Sequence, residues 1–167
     1  MSQLSIQLYL NQLFDMRRVG GTSRESMARE AFKDLLKDWA RAQDLIFIPE
    51  YEIDVPSKER CYVDGALLDA PGEPFGYWET KDEDNELGTD IAVKVRRGYP
   101  QDNIIFEDST QAVLIQARTE VMRCAVADVE KLEKLLRLFF SFALPKIANE
   151  RGKSGEEGCA RCGGQPR

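Results

Sequence analysis

Histidine is missing altogether from the 167 residues. That excludes Ser-His-Asp and Cys-His triads, the His-bearing zinc sites, and hydrolases that use histidine as general base. Chemistry in this chain has to run on carboxylates, lysine, hydroxyls or thiols. Long apolar runs are missing as well. No segment approaches the ~20 continuous apolar residues needed to cross a bilayer, so no membrane role is expected. The stretch MSQLSIQLYLNQLFDMRR has neither an early positive region nor a cleavage site, and it does not read as a signal peptide. Cysteine is scarce, with 4 irregularly placed residues (Cys61, Cys124, Cys159 and Cys162), the first two in strand-like apolar runs. This is the usage of a reduced, cytoplasmic protein. The 12 glycines and 7 prolines are too few for a low-complexity chain, so most of it should fold. A positive excess is also absent. The 23 basic and 29 acidic side chains leave a net charge of −6, the reverse of a surface that grips phosphate unaided.

What is present suits one ordinary domain with a real core, 43% hydrophobic and 31% charged. Residues 3–18 carry Leu4, Leu8, Leu10, Leu13 and Phe14 at mostly helical spacing, up to the Gly20-Gly21 break. A second helix runs over about 23–43, with Ala28, Phe32, Leu35, Leu36 and Trp39 as its apolar stripe. The pattern then turns to β. LIFIPEYEI has Pro49 as the mark of an edge or bulge. CYVDGALL and FGYWETK flank the turn-rich DAPGEP and read as a hairpin. After a helical or irregular link come DNIIFED, QAVLIQ and EVMRCAVA. Asp128 caps a last helix that presents Leu132, Leu135, Leu136, Phe139 and Phe140 and stops near Pro145. The expected fold is α/β, with a central mixed sheet of about five strands flanked by helices. It divides into an N-terminal helix over 1–21, a domain over 22–148, and a polar, glycine-rich tail over 149–167 expected to be flexible.

The stretch VDGALLDAPGEPFGYWETKDEDN carries the chemistry. Side chains on a strand alternate faces, so Glu79 and Lys81 share one with Tyr77. If the hairpin forms, Asp64 comes near Glu79 at one end of the sheet. Two carboxylates and an ammonium then converge where strands end. Such a set fits a hard divalent cation, Mg²⁺ with Mn²⁺ as a substitute, held by Asp64, Glu79 and the carbonyl of Thr80. Lys81 would orient or help deprotonate the attacking water and offset charge on the phosphorane.

Asp64, a 14-residue gap, then Glu79-Thr80-Lys81 resembles the Asp…(Asp/Glu)-x-Lys signature of the PD-(D/E)XK nuclease superfamily. More narrowly, residues 22–142 resemble the N-terminal nuclease domain of restriction enzymes fused to an N6-adenine DNA methyltransferase. In SRESMAREAFKDLL, Glu25 matches the helix glutamate of that family, with Glu30 as second choice, and RRGYPQDNIIFEDSTQAVLIQ corresponds to the later strands. Val63 replaces the proline usual before the first aspartate, and Glu107-Asp108 stands where Thr-Asp is common. The resemblance implies a restriction-endonuclease-like core and a Mg²⁺-dependent endonuclease that cuts DNA within a restriction–modification system. It also implies methyltransferase and target-recognition domains, in the same chain or a separate subunit. Double-strand cleavage further calls for transient dimerisation.

Other charged features have simpler readings. The run from Asp82 to Glu86 reads as a solvated loop. Lys94, Arg96 and Arg97 are either phosphate contacts or an exposed basic helix end. Glu25 and Arg29 form an i, i+4 pair that suits a surface salt bridge as well as a site. Glu52 and Asp54 rank below Asp64 as ligands. Cys159 and Cys162 have zinc-ligand spacing without a second pair. Two rivals to a nuclease stay open: a catalytically inactive form of the same fold used for DNA binding or assembly, and an unrelated α/β protein in which the three charged residues never meet.

Overall fold

The computed structural model describes residues 2–19, 24–81 and 86–143. Among them the elements run α1 (Ser2–Val19), α2 (Arg24–Arg41), β1 (Ile46–Ile53), β2 (Cys61–Leu68), β3 (Pro74–Thr80), α3 (Leu87–Arg97), β4 (Asn103–Glu107), β5 (Gln111–Gln116), β6 (Thr119–Ala125) and α4 (Val129–Phe140). The polar tail from 149 onward, with Cys159 and Cys162, lies outside the described residues.

All six strand-like segments join one sheet, in the order β1-β2-β3-β4-β5-β6, one strand more than the five or so expected. β6, named from sequence as EVMRCAVA, is an edge strand whose side chains are mostly open to solvent. β1, β2 and β3 form an antiparallel meander, and β4, β5 and β6 a second one. The halves meet at the parallel pair β3–β4, with Tyr77 opposite Ile104 and Thr80 opposite Glu107. A parallel pair needs a crossover, and α3 supplies it. Gly98, in the left-handed region at φ 97°, ends that helix and returns its amide to the carbonyls of Lys94 and Val95.

Alternation sorts β4 between two layers. Ile105 joins Leu67, Trp78, Ala112 and Leu114 beneath α1, α2 and α4, while Ile104 and Phe106 pack with Leu87 and Ile91 of α3. With both faces covered, all five residues of β4 are buried. The N-terminal helix is not an appendage: Ile6, Tyr9 and Leu13 enter the same cluster as Phe32, Trp78 and Leu136. Asp128 caps α4 as expected, accepting from the Lys131 amide at 3.2 Å.

β1 is an edge strand, as Pro49 suggests, and its register with β2 skips one pair. Pro49 faces Gly65 and Tyr51 faces Val63, while Glu50, at φ 48°, and Asp64 have no partner between them. On its other side, β2 pairs with β3 only as far as Gly65 opposite Trp78. Asp64 is therefore unpaired on both sides: the β1 ladder skips it and resumes at Val63, and the β3 ladder stops one residue away at Gly65.

Candidate active site

Where the β2–β3 ladder stops, side chains take over its hydrogen bonds. The Thr80 amide donates to Asp64 Oδ2 at 2.8 Å, and the Asp64 amide donates to Glu79 Oε2 at 3.0 Å. Each carboxylate is thus bound by one oxygen to the main chain of the opposite strand. The second oxygen of each meets a cation: Arg29 from α2 pairs with Asp64 Oδ1, and Lys94 from α3 pairs with Glu79 Oε1. Asp90, one turn before Lys94, pairs with it at 3.1 Å and also with Lys81 at 3.4 Å. Two sets of ion pairs, Arg29–Asp64 and Glu79–Lys94–Asp90–Lys81, are therefore joined by the hydrogen bond from the Asp64 amide to Glu79. Together they link α2, β2, β3 and α3.

The electrostatics follow from depth. Glu79 is buried, and that burial, with the Asp64 charge adding to it, raises the Glu79 pKa above the ordinary carboxylate value, while Lys94 opposes the rise. For Lys94, burial works against the ammonium, yet Glu79 and Asp90 outweigh it and the pKa is raised. The other face of the sheet holds a second acid. Glu107, beside Thr80 on β4, is pushed to about 7 by complete burial, and the Thr80 and Trp78 side chains with the Ser109 amide moderate the rise. Its Oε2 accepts from the Ser109 amide at 2.7 Å.

Asp64, Glu79, Thr80 and Lys81, named from sequence, lie in one neighbourhood. Glu25 belongs to the first turn of α2, one turn before Arg29, but its side chain lies outside the described residues. Glu30 is exposed and pairs with Lys33. Glu52 is exposed on β1 and faces Arg60 at 3.8 Å. Of the basic trio, Arg96 and Arg97 are exposed on the last turn of α3, whereas Lys94 is turned inward to Glu79 and Asp90. Sequence reading missed Asp90 and the inward role of Lys94. Their i, i+4 spacing beside the buried Leu87 and Ile91 was the available signal. Arg29 was read as the partner of Glu25, and its contact with Asp64 spans 35 positions.

The donor set fits a hard divalent cation. Asp64 and Glu79 offer all-oxygen ligation from two partly buried carboxylates on adjoining strands. Among the described residues no group of three or more Asp, Glu or Cys side chains is placed to hold a metal.

No protein-family model matches the chain, and no curated protein does. Among solved structures, the chain is similar to one described as the cryo-EM structure of the DrdV–DNA complex, with a TM-score of 0.81 and 41% sequence identity. The match covers 86% of this chain and 14% of that one, so the chain corresponds to a small part of a much longer protein. At this identity the likeness extends beyond topology. The fold is the expected restriction-endonuclease-like α/β core, a mixed sheet between helices. No described helix is long and apolar enough to cross a membrane.

Proposed function

We propose that this chain is a Mg²⁺-dependent endonuclease domain that hydrolyses DNA phosphodiester bonds, the cleavage module of a restriction–modification system. The observation that carries the reading is the reciprocal tie of Asp64 and Glu79 across β2 and β3, with Lys81 on the same strand end. The similarity to a chain solved with DNA, over most of this sequence, supports DNA as the substrate.

In this reading Asp64, Glu79 and the Thr80 carbonyl hold the cation, with Mn²⁺ as a substitute. The bound cation supplies Lewis-acid stabilisation of phosphate oxygens and lowers the pKa of water. Lys81, positioned by Asp90, orients the attacking water toward phosphorus and offsets negative charge as it accumulates there. Arg96 and Arg97, exposed at the end of α3, contact the DNA backbone. A net charge of −6 makes the affinity of this chain alone weak. Methyltransferase and target-recognition domains, in the same protein or another subunit, supply DNA binding and choice of sequence. Two copies meet transiently on DNA to cut both strands.

The test is nicking of supercoiled plasmid with Mg²⁺ or Mn²⁺ by the native chain, Asp64→Ala and Lys81→Ala, with folding followed by circular dichroism. Native activity that both folded variants lose is the expected result. A native chain that neither nicks DNA nor binds Mn²⁺ would discard the nuclease in favour of an inactive DNA-binding or assembly module.

A further inference from the structure

Both oxygens of each carboxylate are engaged by the protein itself. Each has one oxygen on a main-chain amide of the neighbouring strand and the other on an internal cation. The oxygens of Asp64 and Glu79 that carry no strand tie are Oδ1 and Oε1, and a cation that takes them meets Arg29 and Lys94 there. Resting on the reading of Asp64 and Glu79 as metal ligands, we propose that Arg29 and Lys94 are built-in place-holders that neutralise the site without metal and are exchanged for one divalent cation.

Charge, geometry and exposure support the exchange. Two carboxylates set against each other in a partly buried site repel, and burial without compensation is costly. One guanidinium and one ammonium supply the two positive charges that a divalent cation would bring, so the exchange leaves the net charge of the site unchanged. Both organic cations have somewhere to go. Lys94 is already paired with Asp90 Oδ2 at 3.1 Å and keeps that anion when it leaves Glu79. The Arg29 side chain is 40% exposed, so its guanidinium is rehydrated on release. The strand ties stay intact through the exchange, so the site is assembled before the metal arrives.

The exchange makes metal binding a competition. Removing either place-holder leaves a carboxylate without its cation and tightens the hold on a divalent ion, even though a favourable contact has been deleted. The measurement is Mn²⁺ titration by calorimetry, without DNA, on the native chain, Lys94→Met, Lys94→Arg and Arg29→Gln. Lys134→Gln, an exposed change of equal charge on α4, reports any effect of net charge alone. Lys94→Met and Arg29→Gln should bind about tenfold tighter or more, given the size of unit-charge interactions at a few ångströms. Lys94→Arg and Lys134→Gln should match the native chain. Should Lys94→Met fail to fold, Arg29→Gln, on the solvent side of the pair, decides alone. Native Mn²⁺ binding that both variants leave unchanged or weaken overturns the exchange and leaves the metal site standing. No binding by any folded form overturns both.

Discussion

Asp64 and Glu79 each complete the other's strand, the Thr80 amide bonding to Asp64 Oδ2 and the Asp64 amide to Glu79 Oε2. These bonds stand where backbone carbonyls would accept in an ordinary ladder, so the spacing of the carboxylates and of the strand ends is one quantity. Asp64→Ala leaves the Thr80 amide and Arg29 without an acceptor, and should cost about 1–3 kcal/mol of stability. Asp64→Asn keeps an acceptor of the same shape and should melt closer to the native chain. Both should lose Mn²⁺ binding, because a neutral amide is a poor ligand for a hard cation. An Asn variant that still binds Mn²⁺ like the native chain would remove Asp64 from the ligand set.

Lys81 is held at 3.4 Å by Asp90, which lies on α3 and is also the anion of Lys94. The lysine named from sequence is therefore aimed by a residue outside the sequence motif. Lys81→Ala should lower the nicking rate about 10²–10³-fold, the usual loss for one preorganised group acting on developing charge. Asp90→Asn leaves Lys81 present but untethered and should cost about 10-fold or more, as for other supporting residues. Single-turnover nicking checks both, and the loss should fall in the cleavage rate, with the half-saturating DNA concentration nearly unchanged. If Asp90→Asn cuts at the native rate, Asp90 does not position Lys81.

Sequence reading reached the fold because its signals here are local. The Leu132, Leu135, Leu136, Phe139 stripe and the Asp128 cap define α4, and β-branched runs mark each strand. Pro49 marks β1 as an edge. The Asp…Glu-x-Lys spacing reaches the strand ends that carry the candidate site. The counter-cations were out of reach because they depend on which helix packs over which strand. Arg29 meets Asp64 across 35 positions, and Lys94 meets Glu79 across a crossover whose helical character was itself open. Glu107 was noted only as a departure from a family pattern. A charge ending the apolar run NIIF reads as the rim of a strand, and only the covering of both sheet faces buries it completely.

That burial has a pH signature. Glu107 rises from an ordinary 4.5 to about 7 in the folded state, first through desolvation. Below pH 4.5 the group is protonated in both folded and unfolded chains and has no effect. As pH rises from 4.5 toward 7, the unfolded chain ionises first, the folded chain holds more protons, and stability falls. Above pH 7 the loss is complete, about 3 kcal/mol at 1.36 kcal/mol per pKa unit. Glu107→Gln retains an acceptor for the Ser109 amide and removes the titration, so its stability should gain on the native chain between pH 5 and 7. Urea denaturation of the two proteins across that range measures the difference, and parallel curves would mean that Glu107 ionises normally.

Gly65 ties the core to the site. It is the last residue of β2 in register with β3, opposite Trp78 and next to Asp64. A Cβ there would lie 2.3 and 2.6 Å from ring atoms of Phe47 and 3.1 Å from Trp78. Trp78 is fully buried between Phe32 and Phe47, so the half-buried Phe47 ring is the one that has to shift. Gly65→Ala should therefore destabilise the fold by about 1–3 kcal/mol, the range for an added methyl in a packed core. The same displacement moves β2 away from β3 where Asp64 must accept from the Thr80 amide, so Mn²⁺ affinity should fall along with the melting temperature. Phe47→Leu in the Gly65→Ala background clears the space a Cβ needs and should restore metal affinity even though it trims apolar contact. Restored affinity without full restoration of stability would separate the local effect on Asp64 from general loosening. A double variant that melts well and still binds Mn²⁺ poorly would show that Gly65 is required for a reason other than room for the Phe47 ring.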